Sequence, residues 1–297
     1  MGLQRVTTLI TPAATYALVA LEDVKIELGI PDTDTSKDAL LTRYINEVSG
    51  AISRYCNRSP LDFNEASFPV ELVQDLFYPD RDAYPYQVPG GTSALQLARW
   101  PLVPTVTLMT SADAPSGNVL PFASTSGIAQ GQPVNGLNLP PSATVAEVSA
   151  TSVTLNAPVA LDLPAGTKIN FGISIVIVDP PGTSTALVQN TDFVVNPAFG
   201  QLIRLDQFQA YPTLWTPVAT TVVYSGGYSS IPDDVQGAAM RWITQRFSDR
   251  GRNPNLRAKE EPGVGREEYW VGGPPMSGGV PAEIAEPLDS YRTPVTA

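Results

Sequence analysis

Hydrophobic positions first fall into a helical rhythm at Leu21, Val24 and Leu28, closed by Gly29 and Pro31, which predicts a short helix with a stop signal. After a polar loop, Leu40, Leu41, Tyr44, Ile45, Val48, Ile52 and Tyr55 mark one face of a longer helix over about 36–55, with Thr35 and Asp38 at capping-box spacing. Joined by so short a link, the two form a helical hairpin. From 60 to 110 the period shortens to two, with strand-like pieces at 70–73 and 95–97 among prolines and Gly90-Gly91, and a further strand at 103–109 after Trp100-Pro101. Strand character returns at 173–178, then at 192–195, 200–205 and 218–224, the last three expected to complete the first sheet. The clearest helix follows the Gly226-Gly227 turn. Pro232, Asp233 and Asp234 open it, and Val235, Ala238, Ala239, Trp242, Ile243 and Phe247 repeat along one face until Arg250-Gly251.

Two stretches break this texture. Residues 116–171 are dense in Ser, Thr, Gly, Pro, Val and Leu, with Lys168 the one basic residue, and read as an inserted β module with strands at 144–148 and 152–155. Such an insertion is cheap where two strand ends lie close, since each doubling of a surface loop costs only about 0.6 kcal/mol. Beyond 252 the chain is polar, then rich in Gly and Pro, and is expected to be extended and ordered on a partner. No repeat of solenoid-like period is found. The expected fold class is α+β: an N-terminal helical hairpin and a C-terminal amphipathic helix packed with a small antiparallel sheet, an inserted all-β domain, and an extended tail. In domains, 1–112 and 173–251 form the core, 113–172 the insert and 252–297 the tail.

Composition narrows the chemistry. The 297 residues hold no histidine and one cysteine, Cys56. Histidine-based nucleophile systems, His-containing zinc sites and internal disulfides are therefore excluded. Lys and Arg number 18 against 29 Asp and Glu, a net charge of −11. Charged residues make up only 16%, which fits either a surface partly covered by a partner subunit or one rich in Ser/Thr β structure. No apolar run reaches the roughly 18 residues of a membrane span, so no membrane partner is expected and the chain reads as soluble. Arg5 followed by Thr7, Thr8, Thr11 and Pro12 makes a poor leader segment, and Val6 stands where a myristoylation signal needs Ser or Thr.

Few constellations survive inspection. Asp32, Asp34, Ser36 and Asp38 alternate like a calcium loop, but its sixth position is Lys37 rather than Gly and its twelfth is Arg43 rather than Glu. They are read as a solvated loop. Gly263-Val264-Gly265 lacks the strand and the GxxG or GK[ST] sequence of a phosphate cradle. The acid pairs Asp233-Asp234, Glu260-Glu261 and Glu267-Glu268 are sequence neighbours, unlike a glycosidase pair. Basic residues crowd late, as Arg241, Arg246, Arg250, Arg252, Arg257, Lys259 and Arg266, yet five acids in the same stretch leave too small an excess for a nucleic-acid face. Contacts to acids of a protein partner fit better. Trp242 and Phe247 are expected in the core, and Tyr269 and Trp270, in the polar tail, as partner anchors.

Four segments in order, VALEDVKIELGI with DALLTRYINEVSGAISRYCNRS, ARWPLVPTVTLMT, DFVVNPAFGQLIRLD, and VATTVVYSGGYSSIPDDVQGAAMRWITQRFSDR, give the chain a likeness to a known family. It resembles the head-to-tail connector (adaptor) proteins of long-tailed bacteriophages over about two-thirds of its length. The insert, which such connectors usually lack, looks like a small β module of phage structural proteins. The resemblance implies a non-enzymatic virion protein without cofactor or metal. It implies a closed ring of roughly twelve copies below the portal at the neck, assembled in the host cytoplasm, with the tail or a next connector attached and a channel passing DNA without specific binding. Arg250, Arg252, Arg257, Lys259, Arg266, Tyr269 and Trp270 are the expected portal contacts. Val235, Ala239, Trp242, Ile243 and Phe247 belong to the ring-body helix. The insert is expected on the outer face. The alternatives are a tail or decoration protein whose β module binds carbohydrate or capsid, and an enzyme using an acid pair.

Overall fold

The computed structural model describes residues 4–58, 68–78, 94–136, 138–140, 143–179, 182–206, 208, 211–215, 218–250, 258–261, 265–268 and 279–292. The chain divides into two compact units, Met1–Ala13 with Pro69–Ser229 and Ala14–Phe68 with Ser230–Ala297. All the described helices fall in the second unit and most strands in the first, and the α+β class is observed.

The first unit holds, in chain order, β1 (Gln4–Thr11), β2 (Glu71–Tyr78), β3 (Ala94–Gln96), β4 (Val106–Met109), β5 (Val119–Pro121), β6 (Val134–Gly136), β7 (Val145–Val148), β8 (Ser152–Leu155), β9 (Lys168–Phe171), β10 (Ile173–Asp179), β11 (Thr183–Leu187), β12 (Phe193–Asn196), β13 (Gln201–Leu205), β14 (Pro212–Thr213) and β15 (Ala219–Gly226). An antiparallel sheet runs β1-β2-β15-β10-β11. Val73, Phe77, Ile173, Ile175, Val222 and Tyr224 point to its buried face, as period-two alternation requires. Of the three late strands assigned by sequence to this sheet, only β15 joins it. β12 and β13 form a second sheet with β14 and β3, and send Phe193 and Leu202 into the same core, beside Trp215. Their hydrophobic pattern reports the shared core rather than the hydrogen-bond partner.

The inserted segment builds two three-stranded sheets, β4-β9-β6 and β5-β8-β7, around a separate apolar core that includes Leu120, Phe122, Val134, Val153, Leu163, Ile169 and Phe171. Because β4 pairs with β9, the strand placed by sequence before the insert is part of the module's sheet. Its ends are close: a Cβ on Gly172 would lie 3.3 Å from the Cα of Thr105.

The module also has an approximate internal two-fold. DAPSGNVLPF at 113–122 and DLPAGTKINF at 162–171 share Asp, Pro, Gly and Phe at corresponding places. Leu108 faces Ile169 between β4 and β9 as Val153 faces Leu120 between β8 and β5. At the centre Ala114 and Leu163 exchange both backbone hydrogen bonds, each 2.8 Å. Asp113 accepts from the Ala165 amide at 2.8 Å and Asp162 from the Ser116 amide at 2.7 Å, while Phe122 and Phe171 meet edge to face at 5.7 Å.

The second unit contains α1 (Leu21–Glu27), α2 (Asp38–Tyr55), α3 (Asp233–Ser248), a hairpin of β16 (Ala258–Glu261) and β17 (Gly265–Glu268), and α4 (Ala282–Ala285) running into a 3-10 turn, Glu286–Tyr291. Its buried apolar residues include Val24 from α1, Leu41, Ile45, Val48 and Ile52 from α2, and Val235, Ala238, Ala239 and Ile243 from α3. The expected capping box is not formed. Lys37 occupies the N-cap of α2 with no side-chain cap bond, and Asp38 instead pairs with Lys25 at 3.0 Å. Lys25 is buried and also donates to the Asp32 carbonyl at 2.9 Å, so the ion pair takes the carboxylate that the cap needed.

The extended tail needs correction at 279–292. Val280, Ile284, Ala285 and Leu288 are buried, and the segment packs against α3. Polar contacts fasten it: Tyr55 donates to Asp289 at 2.6 Å, Arg58 to the Tyr291 carbonyl at 2.8 Å, and Tyr291 to Asp234 at 3.2 Å. Apolar residues four apart give even this short piece one buried stripe.

Candidate interaction surface

Along α2 and the last turns of α3 the exposed charges lie over aromatic rings. Arg43 and Arg246 both stack on Tyr44, with guanidinium carbons 5.7 and 5.0 Å from its centroid, and both pair with Glu47. Arg43 precedes Glu47 by four residues at 3.6 Å, the weaker orientation for a helical ion pair, while Arg246 forms the closer contact from α3. Lys37 and Arg250 flank the Phe247 ring at 5.7 and 4.8 Å. Two of these four cations share one carboxylate, Glu47, and Asp249 is exposed at the helix end. Stacking on a ring holds a guanidinium in place while leaving most of its donors free for a partner.

Of the ring-body residues, Val235, Ala239 and Ile243 are buried, but Trp242 and Phe247 are only half-buried. They lie at the margin of the α3 stripe, where large rings were expected to reach the core. Phe247 serves instead as the platform for Lys37 and Arg250. Arg252, Arg257, Tyr269 and Trp270 lie outside the described residues. Lys259 and Arg266 fall in the hairpin, where the register sets Lys259 opposite Glu267 and Arg266 opposite Glu260. Lys37 and Arg43 entered the sequence reading only as positions that break a calcium-loop pattern, and Glu47 was not singled out. The Arg43/Glu47 spacing was the one local signal for them.

Elsewhere the motifs are structural. Asp34 accepts from the Ser36 amide at 3.0 Å, and hydrogen bonds from the Ser36 side chain and amide hold its carboxyl below the usual range. Among the described residues no cluster of acids and cysteine could hold a metal ion, and no helix is long and apolar enough to cross a membrane. The Ala98-Arg99-Trp100-Pro101 and Gly226-Gly227 motifs meet each other. A Cβ on Gly226 would fall 2.6 Å from the Arg99 carbonyl oxygen, and one on Gly227 2.2 Å from that of Pro69. Beneath this contact Arg99 donates to Glu71 at 2.7 Å with both side chains fully buried. Asp75 accepts from Tyr224, Thr7 and the Ala98 amide at 2.8, 2.6 and 2.8 Å. Burial and the neighbouring Asp75 push the Tyr224 hydroxyl well above its ordinary pKa.

Among the described residues, the best-defined surface is this group of cations on aromatic rings. Residues 19–76 match the family model of the phage gp6-like head-tail connector proteins. The match contains the first of the four segments, VALEDVKIELGI with DALLTRYINEVSGAISRYCNRS, so the connector resemblance is found there. Two solved structures resemble the chain as well. One, described as "Neck of empty GTA particle computed with C6 symmetry", is 12% identical with a TM-score of 0.37, covering 98% of this chain and 97% of that one. The other, "Virion of native gene transfer agent (GTA) particle", is 13% identical with a TM-score of 0.37 over the same shares. Likeness this remote adds no weight to a functional reading. No curated protein matches the chain.

Proposed function

We propose that this chain is a structural virion protein, a head-to-tail connector that forms a closed ring below the portal of a phage-like particle, joins the tail or a next connector, and leaves a channel for DNA. The observation that carries the reading is the connector-family match over 19–76, which spans α1, α2 and the start of β2. The charge supports it: −11 per copy, multiplied around a ring, keeps passing DNA from binding to the wall. In this reading the helical unit, with Val235, Ala239 and Ile243 inside it, is the ring body. Arg250 and the segment after it, through Arg252, Arg257, Lys259, Arg266, Tyr269 and Trp270, reach the portal. The two-fold β module lies on the outer face as a separately folded domain.

Native mass spectrometry of the full chain with and without its portal tests this. A discrete ring that binds the portal is expected, and a chain that stays monomeric and ignores the portal contradicts it. Tyr269→Ala with Trp270→Ala should weaken portal docking with the ring intact; unchanged docking overturns the assignment of that segment. These substitutions test it better than removing 252–297, which would strip Val280, Ile284 and Leu288 from the core.

A further inference from the structure

Two exposed surfaces of the helical unit carry opposite charge. On α1, Glu22, Asp23 and Glu27 face solvent around Ile26, which is 71% exposed, whereas Val24 and Lys25 face inward. At 100° per residue, positions 22, 23, 26 and 27 span one side of the helix. The single cation of this helix is consumed internally by Asp38. No ion pair joins the three acids to a cation among the described residues. The surface formed by α2 and the last turns of α3 has the opposite character, with Lys37, Arg43 and Arg246 against Glu47 and with the partly open Phe247 ring beside Lys37, while Arg250, stacked on the same ring, marks the edge from which, in the reading above, the chain leaves towards the portal. One unit therefore carries an acidic strip with an apolar knob and a cationic patch with an apolar seat.

We propose that the α1 strip of one copy docks on the α2/α3 patch of the next. The occupant is a second copy of this chain, and the pairing rests on the ring reading given above. Two different, complementary patches on each copy make a heterologous contact, the kind that propagates head to tail and closes into a ring when the rotation permits. Glu22, Asp23 and Glu27 meet the guanidinium donors that Glu47 leaves unsaturated, and Ile26 covers Phe247. Phosphate is the competing ligand for such a patch, but Glu47 within it and Asp249 beside it disfavour a polyanion and leave a protein carboxylate as the better match.

Charge exchange in the full chain tests the pairing. Glu22→Arg with Glu27→Arg, and separately Arg43→Glu with Arg246→Glu, should each weaken ring assembly about tenfold or more at moderate salt, and the chain carrying all four changes should recover it. Ile26→Asp, at a side chain too exposed to matter to its own fold, should weaken assembly without shifting thermal unfolding. Assembly read by analytical ultracentrifugation, with folding read by circular dichroism, separates the outcomes. Rings formed equally by wild type and by all the variants overturn the pairing and leave the ring reading standing. A wild-type chain that never assembles overturns both. Loss of assembly in each double variant without recovery in the fourfold one, or loss of DNA or portal binding alone in Arg43→Glu/Arg246→Glu, assigns the patch to another partner and overturns the pairing.

Discussion

In the β unit Glu71, Asp75 and Arg99 are at most 1% exposed and are bonded to the residues around them, while in the helical unit Arg43 and Arg246 stay at the surface, stacked on one tyrosine and paired with Glu47. A chain with only 16% charged residues thus uses some as internal fastening and displays others on helical surfaces. The difference teaches where to look for partners. A buried pair answers to its own desolvation and tells little about binding, whereas exposed cations in excess over their internal acids are available to another molecule.

Removing one partner of the buried pair should have the largest effect. Glu71→Ala strands the Arg99 guanidinium and should cost about 3–5 kcal/mol in urea unfolding. Next, Leu288→Ala should destabilise by about 2–5 kcal/mol, the cost of a core cavity, if 279–292 is truly core rather than tail. A loss below half a kcal/mol would return that segment to the tail. The two-fold of the module predicts that Asp113→Ala and Asp162→Ala cost nearly the same, about 1 kcal/mol each; a large disparity would break the symmetry.

Cys56 gives a pH readout of the helical core. Burial pushes its thiol from an ordinary value near 9 up to about 12, so the folded state holds the proton more tightly than the unfolded one. That contribution is full below pH 9 and is lost between pH 9 and 12, at about 1 kcal/mol per pH unit. Cys56→Ala should flatten this part of the stability profile; an unchanged slope would contradict the burial. The smallest effect is expected from Glu47→Ala. As an exposed pair it should change stability by less than about 0.5 kcal/mol, and a loss comparable to that of Glu71→Ala would erase the contrast between the units.

Much of this was legible in the sequence. Val235, Ala239 and Ile243 were read correctly as the inner face of α3 because helical spacing survives long-range packing. β1 was not read as a strand. Arg5, Thr7 and Leu9 turn inward and Val6, Thr8 and Ile10 outward, so both faces mix polar with apolar residues and no alternation appears. The internal two-fold of the insert escaped because a single duplication 49 residues apart, from Asp113 to Asp162, has no sustained period to detect. The candidate surface was visible only as a crowd of arginines. Arg246 finds Glu47 from 199 residues away, and packing of α2 on α3, rather than any local motif, brings them together.

An electron-microscopy reconstruction of the assembled particle at the portal vertex decides whether this chain forms a neck ring. The account predicts density for this chain as a closed ring between portal and tail, with α1 of each copy against α2 and α3 of its neighbour. Density for the chain on the capsid shell or along the tail, with none at the neck, would contradict it.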